Sequence, residues 1–591
     1  MKIGYRSFFV LASIIFFICC YYYYPFLSDD SLISLRYVQR FLEGKGLSWN
    51  DGHPVEGYSN LLWVLATSAL GKLGLDLIFS VRLLGILYSL GTIGVILNHF
   101  RTQNIKREYV FIAIILLITT PCFAVWGIGG LEQPLYAFLF TLVLAEVSSI
   151  LKNNNLKRIG WLSIWLGLLA ITRPDGFLFT ILASIFLLFI HRRKRGDLIK
   201  IGFTVLLIPT LFLLSQIAFR YSYYGELVPN TALVKAKITI HYILRGGFYN
   251  LRAFLGTLLL SGSGFYFLYI LVIKKRNLFG VYLLLNLAAW LSYTTLVGGD
   301  IFPAFRHYYI VLVLFTFAII FGLNSVKEIQ FNNNKKIIII ILLAVNAYSQ
   351  TFFTDNENTM IERWEFRGMR LGKTLKNTFS DQTLLAVTVA GCIPYSSELP
   401  TIDMLGLNDY YIPRHPPKNF GTGTLAHELG DADYIMRRNP DIIVFHTGFD
   451  FKIDLNVGDQ LKANKIFIKN YHPIIAESKN EKYVLYFNKN GKSVGIKKGN
   501  NSLKIPGYFF KNSSDNISLF LNNKLLKKME AGKTYHITID NIPTGNWKIK
   551  ESAGENINFQ SKVSQKNNQL YLLITPKNKM FLETLELERK D

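Results

Sequence analysis

The sequence predicts a polytopic α-helical membrane bundle, then a soluble extracytoplasmic α/β domain and a small C-terminal β-sandwich. Three observations predict this. Half of the 591 residues are hydrophobic, and the mean hydropathy is +0.26. The apolar residues crowd into runs before about residue 353, each near the roughly 20 residues that cross a bilayer. Beyond that point the chain turns rich in Asn and Lys, and its apolar residues fall in short strand-like runs. Domain limits are expected at 1–355 (membrane domain with outer-face loops), 356–490 (α/β) and 491–591 (β-rich).

About eleven spans are expected, at 8–27, 79–99, 108–125, 134–151, 159–172, 176–191, 199–220, 252–273, 278–297, 304–323 and 336–353. The first, "SFFVLASIIFFICCYYYYPFL", has no small-residue cleavage site, so it reads as a retained signal-anchor. Loops on one side carry the basic clusters: Lys2 and Arg6; Arg101, Lys106 and Arg107; Lys152, Lys157 and Arg158; "HRRKRGDLIK"; "KKR" at 274–276; Lys327, Lys335 and Lys336. The alternate loops, 28–78, 126–133, 173–175, 221–251 and 298–303, carry acids and few basic residues. This positive-inside pattern places the N-terminus in the cytoplasm and, with an odd count, the C-terminal domain outside. The run at 60–77 would break the alternation as a span, so it reads as an interfacial or re-entrant helix.

The net charge of +24 tempts a nucleic-acid reading. Topology accounts for much of the basic excess, and no basic helix or aromatic stacking platform appears, so no nucleic-acid partner is expected. The four cysteines form no CxxC pair and support neither a zinc site nor a disulfide framework. No GxGxxG or P-loop is present.

The outer face gathers Asp29, Asp30, Glu56, Glu132, Asp175, Glu226 and Asp300 with Arg36, Arg173, Lys235, Lys237, Arg306 and His307. A charge at the edge of a span needs a partner or a water-filled cavity. Carboxylates and guanidiniums together suit acid–base chemistry on an anionic substrate. Apolar residues after Asp30 keep a helical period to Leu42, with "EGKG" as the stop. Asp29 or Asp30 either caps this helix or serves chemistry. "WNDGHPVEGYSNLLW" offers His53, Glu56, Tyr58 and Asn60 in a turn-rich loop. "ITRPDGF" places Arg173 and Asp175 at a helix end, as a functional pair or a snorkelling pair. "YYGELVPNTALVKAK" carries Asn230, Lys235 and Lys237; its lysines suit a phosphate or the membrane surface. "GGDIFPAFRHYY" sets Arg306 just inside the next span, where it needs an anionic partner.

In the soluble part, "MIERWEFRGMRLGKTLKN" reads as an amphipathic helix, and "TLLAVTV" and "PDIIVF" as buried strands of an α/β layer. His427, Glu428, Asp431 and Asp433 match no standard zinc spacing and read as structural. From about 493, polar strands alternate with Gly and Asn turns.

The segments "DDSLISLRYVQRFLEGKGLSWNDGHPVEGYSNLLW", "ITRPDG", "YYGELVPNT", "GGDIFPAFR" and "DMLGLND…HELGD", in this order, resemble the GT-C class of membrane glycosyltransferases that use polyprenyl-phosphate sugars. Within it the nearest resemblance is to the mycobacterial terminal β-(1→2) arabinofuranosyltransferase type, over about residues 1–450. The resemblance implies a GT-C-like bundle whose site lies at the outer face of the bacterial inner membrane. It maps the catalytic acid onto Asp29 and Asp30. Arg36, Glu56, Tyr58, Asn60, Arg173, Asp175, Asn230, Lys235, Asp300, Arg306 and His307 are the candidate substrate-binding residues. The expected partners are a polyprenyl-phosphate-linked sugar donor, an extracytoplasmic glycan acceptor and the lipid bilayer. The expected activity is transfer of arabinofuranose or a similar sugar in cell-wall or lipopolysaccharide biogenesis, by an inverting displacement. No cofactor is required; a divalent metal between carboxylates is compatible with the class. The competing readings are a transporter or flippase of a glycan lipid carrier and a non-enzymatic envelope-assembly protein. Charges clustered at one face, without internal repeats, speak against transport.

Overall fold

The computed structural model describes residues 4–153, 157–192, 195–235, 237–326, 333–361, 363–447, 455–512 and 517–590. Lys2, Arg193, Lys194, Lys327 and Glu362, named in the expectations above, lie outside the described residues. The chain divides into two compact units: Met1–Trp49, His53–Arg363 and Gly421–Leu425 form the first; Asn50–Gly52, Trp364–Phe420 and Ala426–Asp591 form the second.

The first unit is helical. Its elements are α1 (Tyr5–Tyr22), α2 (Asp29–Leu42), α3 (Leu61–Lys72), α4 (Leu77–Thr102), α5 (Arg107–Ile118), α6 (Pro121–Ile128), α7 (Gln133–Asn153), α8 (Arg158–Thr172), α9 (Phe177–His191), α10 (Arg195–Tyr224), α11 (Asn230–Lys235), α12 (Ile240–Gly256), α13 (Leu258–Tyr269), α14 (Leu278–Leu296), α15 (Tyr309–Ser325) and α16 (Asn333–Gln350). Seven helices among the described residues are long and apolar enough to cross a membrane, or up to ten if each of three bent pairs counts as one span. The span expected at 108–125 is one such pair. Pro121 starts a new helix and the chain bends by 61° there. The 252–273 span is another, bent by 99° between α12 and α13. At 12 residues α3 is about 18 Å long, short of a bilayer core. α15 lies at the centre of the unit, buried on nearly every side. α10 is mostly exposed apolar surface, as suits a helix in lipid.

The second unit begins, after its short 50–52 segment, with helix α18 (Trp364–Thr378), which follows α17 (Thr354–Ile361). Strands β1 (Leu385–Val387), β2 (Thr401–Asp403) and β3 (Ile442–Val444) pair in parallel, with β1 in the middle. These are the buried "LLAV" and "IIVF" runs. β4 (Tyr471–Ser478) and β5 (Glu481–Asn488) form a hairpin, and β5 adds antiparallel to β3. The C-terminal strands are joined to this layer. β4 pairs in parallel with β6 (Ile517–Leu521), so one mixed 11-stranded sheet runs through both regions. A separate three-stranded sheet contains Tyr535–Ile539, Gln569–Pro576 and Phe559–Lys566, with Gln569–Pro576 in the middle.

Asp403 closes β2. Its carboxylate accepts the Leu405 and Asn408 backbone N–H groups and the Asn408 side-chain amide, at 2.9–3.0 Å. Burial pushes its carboxyl up to about 6, against the pull of the Asn408 and Leu405 hydrogen bonds. The unfolded chain releases this proton near pH 3.9. Between about pH 4 and pH 6 the folded state therefore holds more protons. Stability should fall as pH rises through that window, by on the order of 2 kcal/mol, and level off above it. Thermal melts of the purified chain across this pH range measure this. Asp403→Asn should flatten the slope; an unchanged slope would assign it to other groups.

Candidate functional site

The site assembles from loops at one end of the helical unit. α2 starts at Asp29, with Ser28 in the N-cap position, so both acids occupy the first helical turn. A carboxylate is stabilised there by the positive end of the helix dipole. Asp29 is buried at 8% exposure, whereas the Asp30 side chain is 28% exposed.

The loop after α14 delivers an arginine to Asp30. Gly298 and Gly299 have φ of +84° and +75°. A Cβ on Gly299 would stand 2.5 Å from Tyr249 Cβ. Ala304 and Phe305 both have φ of +53°, a strained geometry for residues bearing a Cβ. Neighbours hold the turn: Trp126 Nε1 donates to the Pro303 and Ala304 carbonyls at 3.2 Å, Trp290 Nε1 donates to the His307 carbonyl at 2.8 Å, and Tyr249 Oη accepts the His307 N–H at 3.1 Å. Arg306 then forks onto Asp300, with Nε–Oδ2 of 2.8 Å and Nη2–Oδ1 of 3.0 Å. Its Nη1 reaches Asp30 Oδ2 at 3.4 Å. Its guanidinium lies 4.7 Å from the Phe302 ring centroid. Gly299→Ala should destabilise the helical unit by about 1–2 kcal/mol from the left-handed backbone alone, with more from the Tyr249 clash. A detergent thermal melt reads this, and an unchanged midpoint would contradict it.

A second ion-pair group lies beside the first. Arg173 follows α8 in extended backbone. Its Nη1 donates to Glu132 Oε1 at 2.5 Å, and its Nη2 to Asp175 Oδ2 at 2.7 Å. Tyr136 and Tyr293 donate their hydroxyls to Asp175 at 2.9 and 3.0 Å. Asn60 Nδ2 donates to Glu132 Oε2 at 2.8 Å and also to Ser34 Oγ of α2 at 3.3 Å. A small cavity joins the two groups, lined by Gln133, Tyr136, Arg173, Trp290, Arg306, His307, Tyr309 and Ile310. His307 lines this cavity together with Arg173 and Arg306. Asp30, Asn60, Arg173, Asp175, Asp300, Arg306 and His307 thus belong to one neighbourhood, and Lys235 ends the short helix α11.

The other candidates form a separate cluster. Arg36 donates Nε to the Trp49 carbonyl at 2.8 Å and lies over that ring. Glu56 is held by Arg220 through a two-pronged ion pair. Burial raises the Glu56 carboxyl, and the Arg220 hydrogen bond and charge pull it back. Tyr58 Oη meets Tyr224 Oη at 3.2 Å. The buried Asn230 gives its backbone N–H to the Glu56 carbonyl at 3.0 Å. This cluster ties the 49–60 loop to the end of α10. Arg220 was absent from the sequence-derived candidates, yet a guanidinium inside the apolar run 199–220 signals a buried acid partner. In the sequence Glu132 stands only as one of the outer-face acids. Tyr136 and Tyr293 carry no signal beyond their position in apolar helices.

Among the described residues, no group of three or more His, Cys, Asp or Glu is placed to hold a metal ion. Asp30, Asp300, Asp175 and Glu132 each accept from a guanidinium. As arranged, this donor set does not fit a divalent cation. In the second unit Asp431 caps a helix through the Tyr434 N–H at 2.8 Å, and Asp433 accepts from Asn464 at 2.8 Å, both structural uses.

Known proteins align with this picture. A family model described as a domain of unknown function (DUF8728) matches residues 358–489. The terminal β-(1→2)-arabinofuranosyltransferase of Mycobacterium tuberculosis is 28% identical over 226 residues, covering 36% of this chain and 35% of that protein. The match thus spans about a third of that relative. The crystal structure of ArnT from Cupriavidus metallidurans bound to undecaprenyl phosphate superposes with a TM-score of 0.54 at 13% identity, covering 81% of this chain and 97% of that one. The same protein in its apo state gives a TM-score of 0.53 at 12% identity, covering 81% and 96%. At such identities the structural likeness speaks for the fold. The chain has the fold of the GT-C membrane glycosyltransferases and resembles a mycobacterial arabinofuranosyltransferase in sequence.

Proposed function

We propose that this chain is a membrane glycosyltransferase that moves a sugar, arabinofuranose or similar, from a polyprenyl-phosphate donor to a cell-envelope glycan. In this reading it sits in the cytoplasmic membrane, with its N-terminus in the cytoplasm and its site and second unit outside. The observation that carries it is the unequal exposure of the clustered acids. Glu132, Asp300 and Asp175 side chains are 3%, 5% and 7% exposed, while Asp30 is 28% exposed. Asp30 is therefore the carboxylate of this cluster that an acceptor hydroxyl can reach.

The mechanism follows from that geometry. Asp30 takes the proton of the acceptor hydroxyl as its oxygen attacks the anomeric carbon. The bond from that carbon to the phosphate oxygen breaks, and polyprenyl phosphate leaves as an anion. One displacement inverts the anomeric centre. Arg173 and Arg306 are already engaged by carboxylates, and Lys235 has no ion-pair partner among the described residues. Lys235 is therefore the cation for the leaving phosphate, with Arg306 adding its field. Asp175, Asp300 and Glu132 orient the arginines, and Asn60 holds Glu132. The bonds of Arg36, Glu56, Tyr58 and Asn230 suit shaping the neighbouring loop.

The experiment is a transfer assay with the purified chain, a short-chain polyprenyl-phosphate sugar and an envelope glycan preparation. Acceptor-dependent release of polyprenyl phosphate is the expected result. Lack of release across a panel of donor sugars, from a well-folded preparation, would overturn the proposal. Lys235→Gln should lower kcat by about 10-fold or more if it receives the leaving phosphate, with the thermal midpoint unchanged.

A further inference from the structure

We propose that α12 is an in-plane interfacial helix. It lies along the bilayer surface with an apolar arc among the acyl chains and a cationic row toward the lipid headgroup phosphates.

Thirteen of the 17 residues of the helix fall into three strips. Ile240, Leu244, Phe248, Leu251 and Leu255 are exposed, between 49% and 72%. At 3.6 residues per turn they fill one continuous arc of about 80°. His241, Arg245 and Arg252 fall together in the next 40° or so of the wheel. Tyr242, Gly246, Tyr249, Ala253 and Gly256 are buried and take the strip after that. An apolar arc flanked by a basic strip is the pattern of a helix lying in a membrane interface.

A transmembrane course for α12 meets an obstacle. The basic strip runs the length of the helix, so a crossing would carry Arg245 and Arg252 through the hydrocarbon, where such groups are costly. Arg252 pairs with Asp355 at 2.6 Å. The helix that follows differs. α13 reads "LLLSGSGFYFLY", without a charged residue, and continues through Ile270–Lys274 with its first charge at Lys274. The two are bent by 99° at Gly256 and Thr257. With α13 and its continuation crossing the bilayer, that bend lays α12 in the plane of the membrane.

The buried strip ties this surface helix to the site. Tyr249 Oη accepts the His307 N–H, and the Asn250 carbonyl accepts Tyr308 Oη, both at 3.1 Å. Asn250 Nδ2 also donates to Thr295 Oγ1 on α14 at 2.9 Å. A Cβ on Gly246 would stand 2.3 Å from the Thr295 carbonyl oxygen, so the glycine permits this contact. The depth at which α12 rests thus sets the depth of the Arg306 turn. The inference concerns membrane seating alone and stands apart from the proposed reaction.

The test is nitroxide depth measurement on the full chain in vesicles of phosphatidylcholine and phosphatidylglycerol. Cys19 is part-exposed while the other three native cysteines are buried, so Cys19→Ser is the background. Labels are placed one at a time with Ile240→Cys, Leu244→Cys, Leu255→Cys and Arg245→Cys, and oxygen and a water-soluble nickel complex serve as relaxants. Leu251→Cys replaces any position that lowers the yield of folded protein. Equal depth at Ile240, Leu244 and Leu255, with Arg245 nearer the water, is expected. Ile240 and Leu255 stand roughly 22 Å apart along the axis, so a depth that changes by a comparable amount between them would overturn the proposal. Free access of the nickel complex to every label would overturn it too.

Discussion

Asp30→Asn should lower sugar transfer by about 10²–10⁴-fold, the range that a positioned general base contributes. The fold should tolerate the change. The carboxylate is part-exposed and its contact with Arg306 is long, at 3.4 Å, so asparagine gives up little binding energy. Arg306 keeps its fork on Asp300. The measurement is kcat with a polyprenyl-phosphate sugar, beside a thermal melt of the same preparation. Asp29→Asn is the companion variant. Asp29 is buried and shares the same helix turn, so its loss should act on the helix start as well as on activity. Full transfer by Asp30→Asn together with an inactive, well-folded Asp29→Asn would move the base to Asp29. Full activity in both would remove the acid from the mechanism.

Arg173→Leu should destabilise the helical unit by about 3–5 kcal/mol, because it strands buried carboxylates without their cation. Arg173 is 13% exposed, and its partners Glu132 and Asp175 are 3% and 7% exposed. The loss is mainly the cost of two uncompensated acids. The triple variant Arg173→Leu, Glu132→Gln, Asp175→Asn should therefore recover much of the stability while remaining impaired in transfer. Such non-additivity is expected of residues in one network. A triple variant no more stable than Arg173→Leu would show that the cost does not come from the stranded acids.

The candidate site was partly legible because charge at the edge of an apolar run is a local signal. Arg173, Asp175 and Arg306 stand at helix ends and Asp300 in the short loop after α14, where lipid leaves an unpaired charge unsatisfied. Their partners were not legible. Asp30 and Arg306 are 276 residues apart, and Glu56 and Arg220 are 164 apart. Glu56 and Asp175 look alike in the sequence, as acids in turn-rich loops, yet one braces α10 and the other lies in the Arg173 group. α12 shows the same limit. In the sequence its apolar and basic residues fall at the end of a loop and the start of a span, because a membrane window averages over the wheel and loses the arc.

The sequence by itself determined the local elements. The 3.6-residue period after Asp30 and the stop at "EGKG" mark α2, which ends at Leu42 with Gly44 and Gly46 at positive φ. The long apolar runs mark the membrane helices, and the short apolar runs "LLAV" and "IIVF" mark β1 and β3. Only the tertiary structure decided which acid is exposed, which arginine each acid holds, and that β4 joins β6 to make one sheet. The reason is physical. Helix and strand periods arise from contacts between near neighbours, whereas an ion pair or a strand pairing depends on where distant segments meet, and that is set by the packing of the whole chain.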